Sequence, residues 1–225
     1  MIDVRDVSKR YHRGVDLVHA LERVSLHIPR GRFVALMGPS GSGKSTLLNL
    51  LAGLDRPDEG EVVVAGQALS TLDEDGLADW RARHVGLVFQ FFNLLPVLSA
   101  VENVELPLLL SALSRSERRE RATIALTAVG LGGRLHHRPA QMSGGEQQRT
   151  AIARAVVTDP DLLVADEPTG DLDAKSATDV LTLLRELNRA FQKTIVMVTH
   201  DPRGERFVDE VIRLDKGVLV NEARP

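Results

Sequence analysis

The sequence predicts an α/β fold with a mainly parallel sheet, an antiparallel β layer beside it and an inserted helical segment. Three observations carry this. Short apolar runs bounded by turn or polar residues recur at Phe33–Met37, Val85–Gln90, Leu162–Glu167 and Thr194–Thr199, the form of strands buried on both faces. Strand-like runs crowd together near the N-terminus, at Ile2–Val7, Val18–Ile28 and Glu61–Gly66, which suits an antiparallel layer. From about Phe91 to Val157 strand spacing gives way to helical spacing. The chain reads as one unit, residues 1–225, in which 1–90 and 158–225 form the core and 91–157 the helical insertion.

Taken in order, Ile2–Val7 alternates like a half-buried strand, and Pro29-Arg30-Gly31 turns the second strand into Phe33–Met37. A helical stretch, Thr46 to Ala52, closes on Gly53. Helical spacing marks Ala100–Leu110, Ser116–Val129 and Glu146–Val157. After Leu162–Glu167 comes a helix over Ala174–Phe191, then the strand ending at His200. Glu210–Leu214 and Val218–Val220 form a hairpin around Lys216-Gly217. Ligands of such sheets lie at the carboxyl ends of strands, where Gln90, Asp166, Glu167 and His200 all fall.

Composition narrows the function classes. The chain of 225 residues is 43% hydrophobic and 26% charged, ordinary for a globular protein with a sizeable core. A formal net charge of −3 offers no basic field, so no nucleic-acid partner is expected. Cysteine is absent, which excludes disulfides and zinc–thiolate sites, and His136-His137 lacks a suitably spaced third ligand. Met1 to Asp6 is charged from the start, unlike a signal peptide. The most apolar region, Leu94 to Leu113, is broken by Pro96, Glu102, Asn103, Glu105 and Pro107, so a membrane process would need another chain to span the bilayer.

Between the Phe33–Met37 strand and its following helix lies Gly38-Pro39-Ser40-Gly41-Ser42-Gly43-Lys44-Ser45, then Thr46. It matches G-x-x-x-x-G-K-[ST] in the strand–loop–helix context that makes the pattern a phosphate site. Glycines let backbone N–H groups turn inward around an anion, and the helix N-terminus adds partial positive charge. Lys44 reaches β/γ-phosphates and the Ser45 hydroxyl holds Mg²⁺ in such a loop. Leu162–Glu167 ends in two carboxylates whose side chains alternate along a strand, so Asp166 and Glu167 are expected to do different jobs. One supports Mg²⁺, and the other orients and deprotonates an attacking water. Ser143-Gly144-Gly145 opens a helix as a second anion-ready N-terminus, while Ser143 with Glu146 also fits an ordinary capping box.

Met142-Ser143-Gly144-Gly145-Glu146-Gln147-Gln148-Arg149 resembles the signature motif of the ATP-binding cassette (ABC) ATPases. The family's other motifs follow in order over essentially the whole chain. Gln90 is similar to the Q-loop glutamine, Gly170-Asp171-Leu172-Asp173 to the D-loop, His200 to the switch histidine and Tyr11 to the aromatic residue that stacks on adenine. The resemblance implies two cassettes closing head to tail around two ATP molecules, each γ-phosphate lying between one P-loop and the other copy's Ser143-Gly144-Gly145. It implies that Ser45 and Gln90 bind Mg²⁺ with Asp166 in support, that Glu167 acts on water and that His200 contacts the γ-phosphate. Two departures stand out: Met142 replaces the usual leucine, a volume-conserving change, and Asp171 brings a charge to the D-loop.

Phe91 to Pro96 and Val101 to Pro107 resemble the subfamily of lipoprotein-releasing and macrolide-efflux ATPases. This implies an integral membrane permease docked on Phe91, Phe92 and Leu94 to Leu98, with the chain cytoplasmic and peripheral on the inner face of the cell membrane. The cargo class implied is hydrophobic or peptide-like, exported or extracted. Alternatives of other classes are an ATPase that drives an extracytoplasmic enzyme through its membrane partner without transport, and a soluble cassette acting on nucleic acid or ribosomes.

Overall fold

The computed structural model describes residues 1–14 and 16–220. The N-terminal part supplies β1 (Ile2–Arg13), β2 (Asp16–Ile28), β3 (Phe33–Met37), α1 (Lys44–Leu51), β4 (Glu59–Val64), β5 (Gln67–Ala68), α2 (Glu74–His84) and β6 (Val85–Phe89). A helical stretch follows, with α3 (Ala100–Glu105), α4 (Arg115–Ala128) and α5 (Gly144–Val156). The chain then returns to the sheet through β7 (Leu162–Asp166), α6 (Ala174–Phe191), β8 (Thr194–Val198), β9 (Glu210–Asp215) and β10 (Val218–Val220).

Two sheets result. Four antiparallel strands lie in the order β2-β1-β4-β5, and six lie in the order β10-β9-β3-β8-β7-β6. The larger sheet is parallel throughout except for the β9–β10 hairpin. The expected α/β class, antiparallel layer and helical insertion are therefore all present.

Period-two alternation divides the core. Phe33, Ala35 and Met37 of β3 face one way, with Leu163 and Ala165 of β7, and pack against α3 to α6. Val34 and Leu36 face the other way and pack against α1 and the antiparallel sheet. Burial on both faces is why these strands read as unbroken apolar runs. The 18-residue helix α6 is the most regular amphipathic element. Asp173 caps it by accepting from the Lys175 and Ser176 amides, and Val180, Leu181, Leu184 and Leu187 form its buried stripe. At its end the buried Asn188 amide donates to Gly31 O and Lys193 O, both at 2.8 Å, tying the helix to the turn before β3.

Three boundaries differ from expectation. The helix predicted over Ala100–Leu110 is α-helical only to Glu105 and tightens to 3₁₀ geometry over Leu106–Leu110, because Pro107 cannot donate into an α-helical ladder. The first hairpin is longer at its tip, since β1 runs to Arg13 and β2 starts at Asp16. β7 stops at Asp166, and Glu167 sits at φ 46°. The two carboxylates thus diverge because the chain turns between them, not because a strand alternates through both. Among the described residues, no helix is long and apolar enough to cross a membrane.

Candidate functional site

The loop after β3 is built around two positions that only glycine suits. Gly38 lies at φ 149°, and a Cβ there would fall 2.0 Å from the Leu214 carbonyl oxygen. Gly43 lies at φ 98°, and a Cβ there would meet the Ala20 carbonyl oxygen at 2.3 Å. Gly43 is also the N-cap of α1 and provides no side-chain cap. By contrast α2, α4, α5 and α6 are each capped by an Asp or Ser side chain. The first turn of α1 therefore keeps its amides for an external acceptor, and the helix dipole makes that acceptor an anion.

Lys44 supplies the countercharge. It is only 8% exposed. Its Nζ donates to Gly38 O at 2.9 Å and Pro39 O at 2.8 Å, with Ser42 Oγ at 3.4 Å, which bends the stem along the loop. Loop and helix start line a cavity of about 560 Å³, with Gly38, Ser40, Gly41, Ser42, Gly43, Lys44, Ser45 and Thr46 on one wall. Glu167 and His200 reach it from the ends of β7 and β8, and Tyr11, Val18 and Ala20 reach it from the antiparallel sheet.

At the strand ends, Asp166 Oδ1 lies 3.5 Å from Ser45 Oγ. Burial and then the neighbouring Glu167 charge push the Asp166 pKa up, opposed by Ser45 and Lys44. The Glu167 backbone N–H donates to Val198 O at 3.0 Å, and its carboxylate lies 3.0 Å from His200 Nδ1. Backbone and imidazole together fix where this carboxylate sits. The Ser45 hydroxyl beside the Asp166 carboxylate is an all-oxygen donor set, the kind a hard divalent cation such as Mg²⁺ selects.

Two predicted groups lie elsewhere. Gln90, which the resemblance assigned to Mg²⁺, rests against Gly170 and donates through Nε2 to Asp171 Oδ1 at 3.3 Å. Its side chain is held by the D-loop, a partner that sequence spacing could not reveal. Ser143-Gly144-Gly145 begins α5 beside α6, with Ser176 immediately against Gly145 and Leu172 against Gly144. Ser143 Oγ accepts from Glu146 N at 3.3 Å, and Ser143 N donates to Glu146 Oε2 at 2.8 Å, so the capping box is formed within the chain. Among the described residues lining the P-loop cavity, none comes from this helix start.

Motif reading also passed over two residues beside the site. Asp55, in the segment after α1, accepts from Tyr11 Oη at 2.7 Å and from Lys9 Nζ at 2.8 Å. The only sequence signal was a charged pair, Asp55-Arg56, following an apolar helix.

An edge of this kind handles a nucleoside triphosphate, and the class it defines is that of the P-loop nucleotide-binding ATPases. The ABC transporter family model matches residues 21–170. A macrolide export ATP-binding/permease protein, MacB of Hyphomonas neptunium, is 48% identical over 99% of this chain, which spans 34% of that protein's length. The ATP-binding protein YbbA of Escherichia coli K12 is 49% identical over 99% of this chain and 98% of its own. A solved dimer of the ATP-binding cassette MJ0796, described as a post-hydrolysis state bound to ADP and Pi, superposes with a TM-score of 0.90 at 45% identity, covering 100% of this chain and 98% of that one. The MJ0796 cassette comes from Methanocaldococcus jannaschii. The chain belongs to the ABC transporter family, as an ATP-binding cassette and ATPase.

Proposed function

We propose that two copies of this chain close head to tail around two ATP molecules, and that closure drives a membrane permease exporting or extracting hydrophobic or peptide-like cargo. The observation that supports this best is the separation of two anion-ready helix starts. The P-loop cavity has its Tyr11, Glu167 and His200 walls from this chain, while Ser143 opens α5 beside α6 instead. A second copy turned head to tail supplies the missing wall. Ser143 Oγ accepts from Glu146 N, and a hydroxyl still has its own proton to donate to a phosphate oxygen. The dimeric MJ0796 cassette bound to ADP and Pi supports the pairing of two cassettes.

On this reading the loop amides and Lys44 hold the β- and γ-phosphates, Tyr11 stacks on the base, and His200 contacts the γ-phosphate. Mg²⁺, held by Ser45 and Gln90 with Asp166 in support, supplies charge neutralisation at the phosphate oxygens. Gln90 turns from Asp171 to join that set. Glu167 takes the proton of the attacking water, steadied by His200 and by its own amide bond to Val198.

The permease docks on the loop after β6, where Phe91 and Val97 are both 71% exposed, beside Leu110 at the end of the 3₁₀ segment after α3, 81% exposed. A cleft of about 320 Å³ lies alongside, lined by Leu87, Phe89, Pro107 and Leu110. Arg154, late in α5, donates to Phe92 O at 2.8 Å and Asn93 O at 2.6 Å, so the helix that starts at Ser143 also grips the docking loop. The export function in the name of the MacB relative supports efflux, with this chain peripheral on the inner membrane face.

Glu167→Gln tests the centre of this reading. The variant should bind ATP and elute as a dimer with it, while steady-state hydrolysis falls by about 10²–10⁴-fold, as expected for loss of a positioned general base. Turnover at the wild-type rate would remove Glu167 from that role, and a monomer in saturating ATP would remove the composite site. Co-purification with an integral membrane protein tests the permease.

A further inference from the structure

We infer that Lys9 and Asp55 are positioning residues of the nucleotide site, holding the Tyr11 ring as a pre-set platform for the base; this rests on reading Tyr11 as the stacking residue. Lys9 and Tyr11 are two apart on β1, which puts both side chains on one face of the strand. Tyr11 Oη donates to Asp55 Oδ2 at 2.7 Å. Lys9 Nζ donates to the other oxygen, Oδ1, at 2.8 Å and to Arg56 O at 2.7 Å, and the Arg56 amide also donates to Oδ1 at 2.7 Å. The carboxylate is thus fixed by two donors, the Lys9 ammonium and the Arg56 amide, before it fixes the phenol.

The ammonium also lies over the ring, 5.1 Å from its centroid. Lys9 is only 9% exposed whereas Tyr11 is 38% exposed. A buried cation therefore backs one face of the ring and leaves the other for a base. Because the hydroxyl is committed to Asp55, the ring can offer a base only its π face. Burial, followed by the Asp55 bond, raises the Tyr11 pKa to about 12, so the phenol stays neutral.

Asp55 lies four residues beyond Leu51, the last residue of α1, and α1 begins at Lys44. One short helix thus carries the phosphate cradle at its start and the support of the base platform just past its end. A tyrosine near the tip of a two-stranded ribbon would otherwise lose rotamer freedom each time a base stacked on it. Removing that cost in advance is worth roughly threefold to tenfold in affinity.

The chain has one tyrosine, so tyrosinate absorbance reports this ring alone. Titration would be run on the full chain as wild type, D55A, D55N, K9M and Y11A, with ATP and inorganic triphosphate binding measured by calorimetry. In D55A the phenol midpoint should fall below about 12 but stay above the ordinary tyrosine value of about 10, because burial still raises it. ATP affinity should fall about fivefold to tenfold, with triphosphate affinity unchanged. D55N keeps an acceptor and should recover most of the ATP affinity, and K9M should lie between; these two carry the test if D55A does not fold. An unmoved phenol midpoint would overturn the proposal, as would equal losses for ATP and triphosphate, or ATP affinity unchanged in D55A while Y11A weakens it. If Y11A binds ATP like wild type, the stacking reading itself fails and this inference falls with it.

Discussion

Gly38→Ala and Gly41→Ala separate two reasons for glycine in one loop. Both positions have positive φ, 149° and 77°, so alanine is strained at either. They differ in surroundings. A Cβ at Gly41 meets nothing within 4 Å, whereas at Gly38 it falls 2.0 Å from Leu214 O and 2.9 Å from Ser42 Oγ. Leu214 belongs to β9, pairs with Leu219 and is 1% exposed, so it has little room to retreat. Relief needs a backbone shift of about 1 Å or more in a close-packed interior. Strain alone costs about 1–2 kcal/mol at Gly41. At Gly38 overpacking adds about 1–3 kcal/mol. The two variants should therefore differ by about 2 kcal/mol, or about 1 M in urea midpoint for a slope of about 2 kcal/mol/M. Unfolding can be followed by fluorescence of Trp80, the sole tryptophan, which is 6% exposed. Coincident curves for the two variants would refute the close-approach argument and leave backbone strain as the only reason for glycine.

Three further outcomes follow from particular contacts. Asp209 accepts from Arg185 at 2.7 Å and from the Phe33 amide at 2.9 Å, and the Arg185 bond above all holds its pKa below the ordinary 3.8. Its folded-state pKa is depressed, so its stabilisation is present above pH 3.8 and is lost as pH falls through the folded value. Asp209→Asn should therefore melt below wild type at pH 7, by roughly 1 kcal/mol, with the gap closing as pH falls through the folded value; a gap independent of pH in thermal melts would contradict this. Asp171→Ala removes the acceptor that Gln90 must leave to join the Mg²⁺ set and should lower the Mg²⁺ concentration for half-maximal ATPase about threefold with little change in kcat, while Asp171→Asn restores it; an unchanged Mg²⁺ titration would count against that link. Phe92 and Asn93 sit at φ 57° and 49°, and Arg154 bonds both carbonyls. Arg154→Ala should free this strained pair and speed chymotrypsin cleavage near Phe91 by about tenfold, the loss of about 1.4 kcal/mol of local stability; a cleavage rate equal to wild type would show that the strain is held elsewhere.

The legible parts of this chain are those where one periodicity and one motif agree. β3, β6, β7 and β8 were readable because burial on both faces leaves a run with no polar interruption. The P-loop was readable because its pattern is contiguous and Lys44 bonds within it, to Gly38 and Pro39, even though Gly38 and Gly43 answer to Leu214 and Ala20 farther along the chain. Helix α2 gave almost no signal, since Leu77 and Trp80 are its only buried residues. The tip of the first hairpin was missed because its outer residues, such as His12, Asp16 and Leu17, are exposed, and a ribbon with no buried face carries no alternation. The Asp55 support was invisible for another reason. It depends on β1 and the segment after α1 lying side by side, 44 residues apart in sequence for the Tyr11–Asp55 pair. Gln90 shows the same limit, since its partner Asp171 lies 81 residues away.

The strand order has a consequence for how the chain is made. β3, which leads into the P-loop, leaves the ribosome well before its two neighbours in the sheet, β8 and β9. Its partner Ile195 follows Phe33 by about 160 residues, so at about 5–20 residues per second the strand waits roughly 10–30 s with both edges open. The Leu214 carbonyl that closes over Gly38 is translated later still. A nascent chain stopped before residue 194 therefore carries every residue of the phosphate loop and neither of the strands that hold it in place. ATP should gain purchase on this protein only after β8 and β9 have been synthesised, which nucleotide capture on stalled chains of increasing length would show as a step and not a slope.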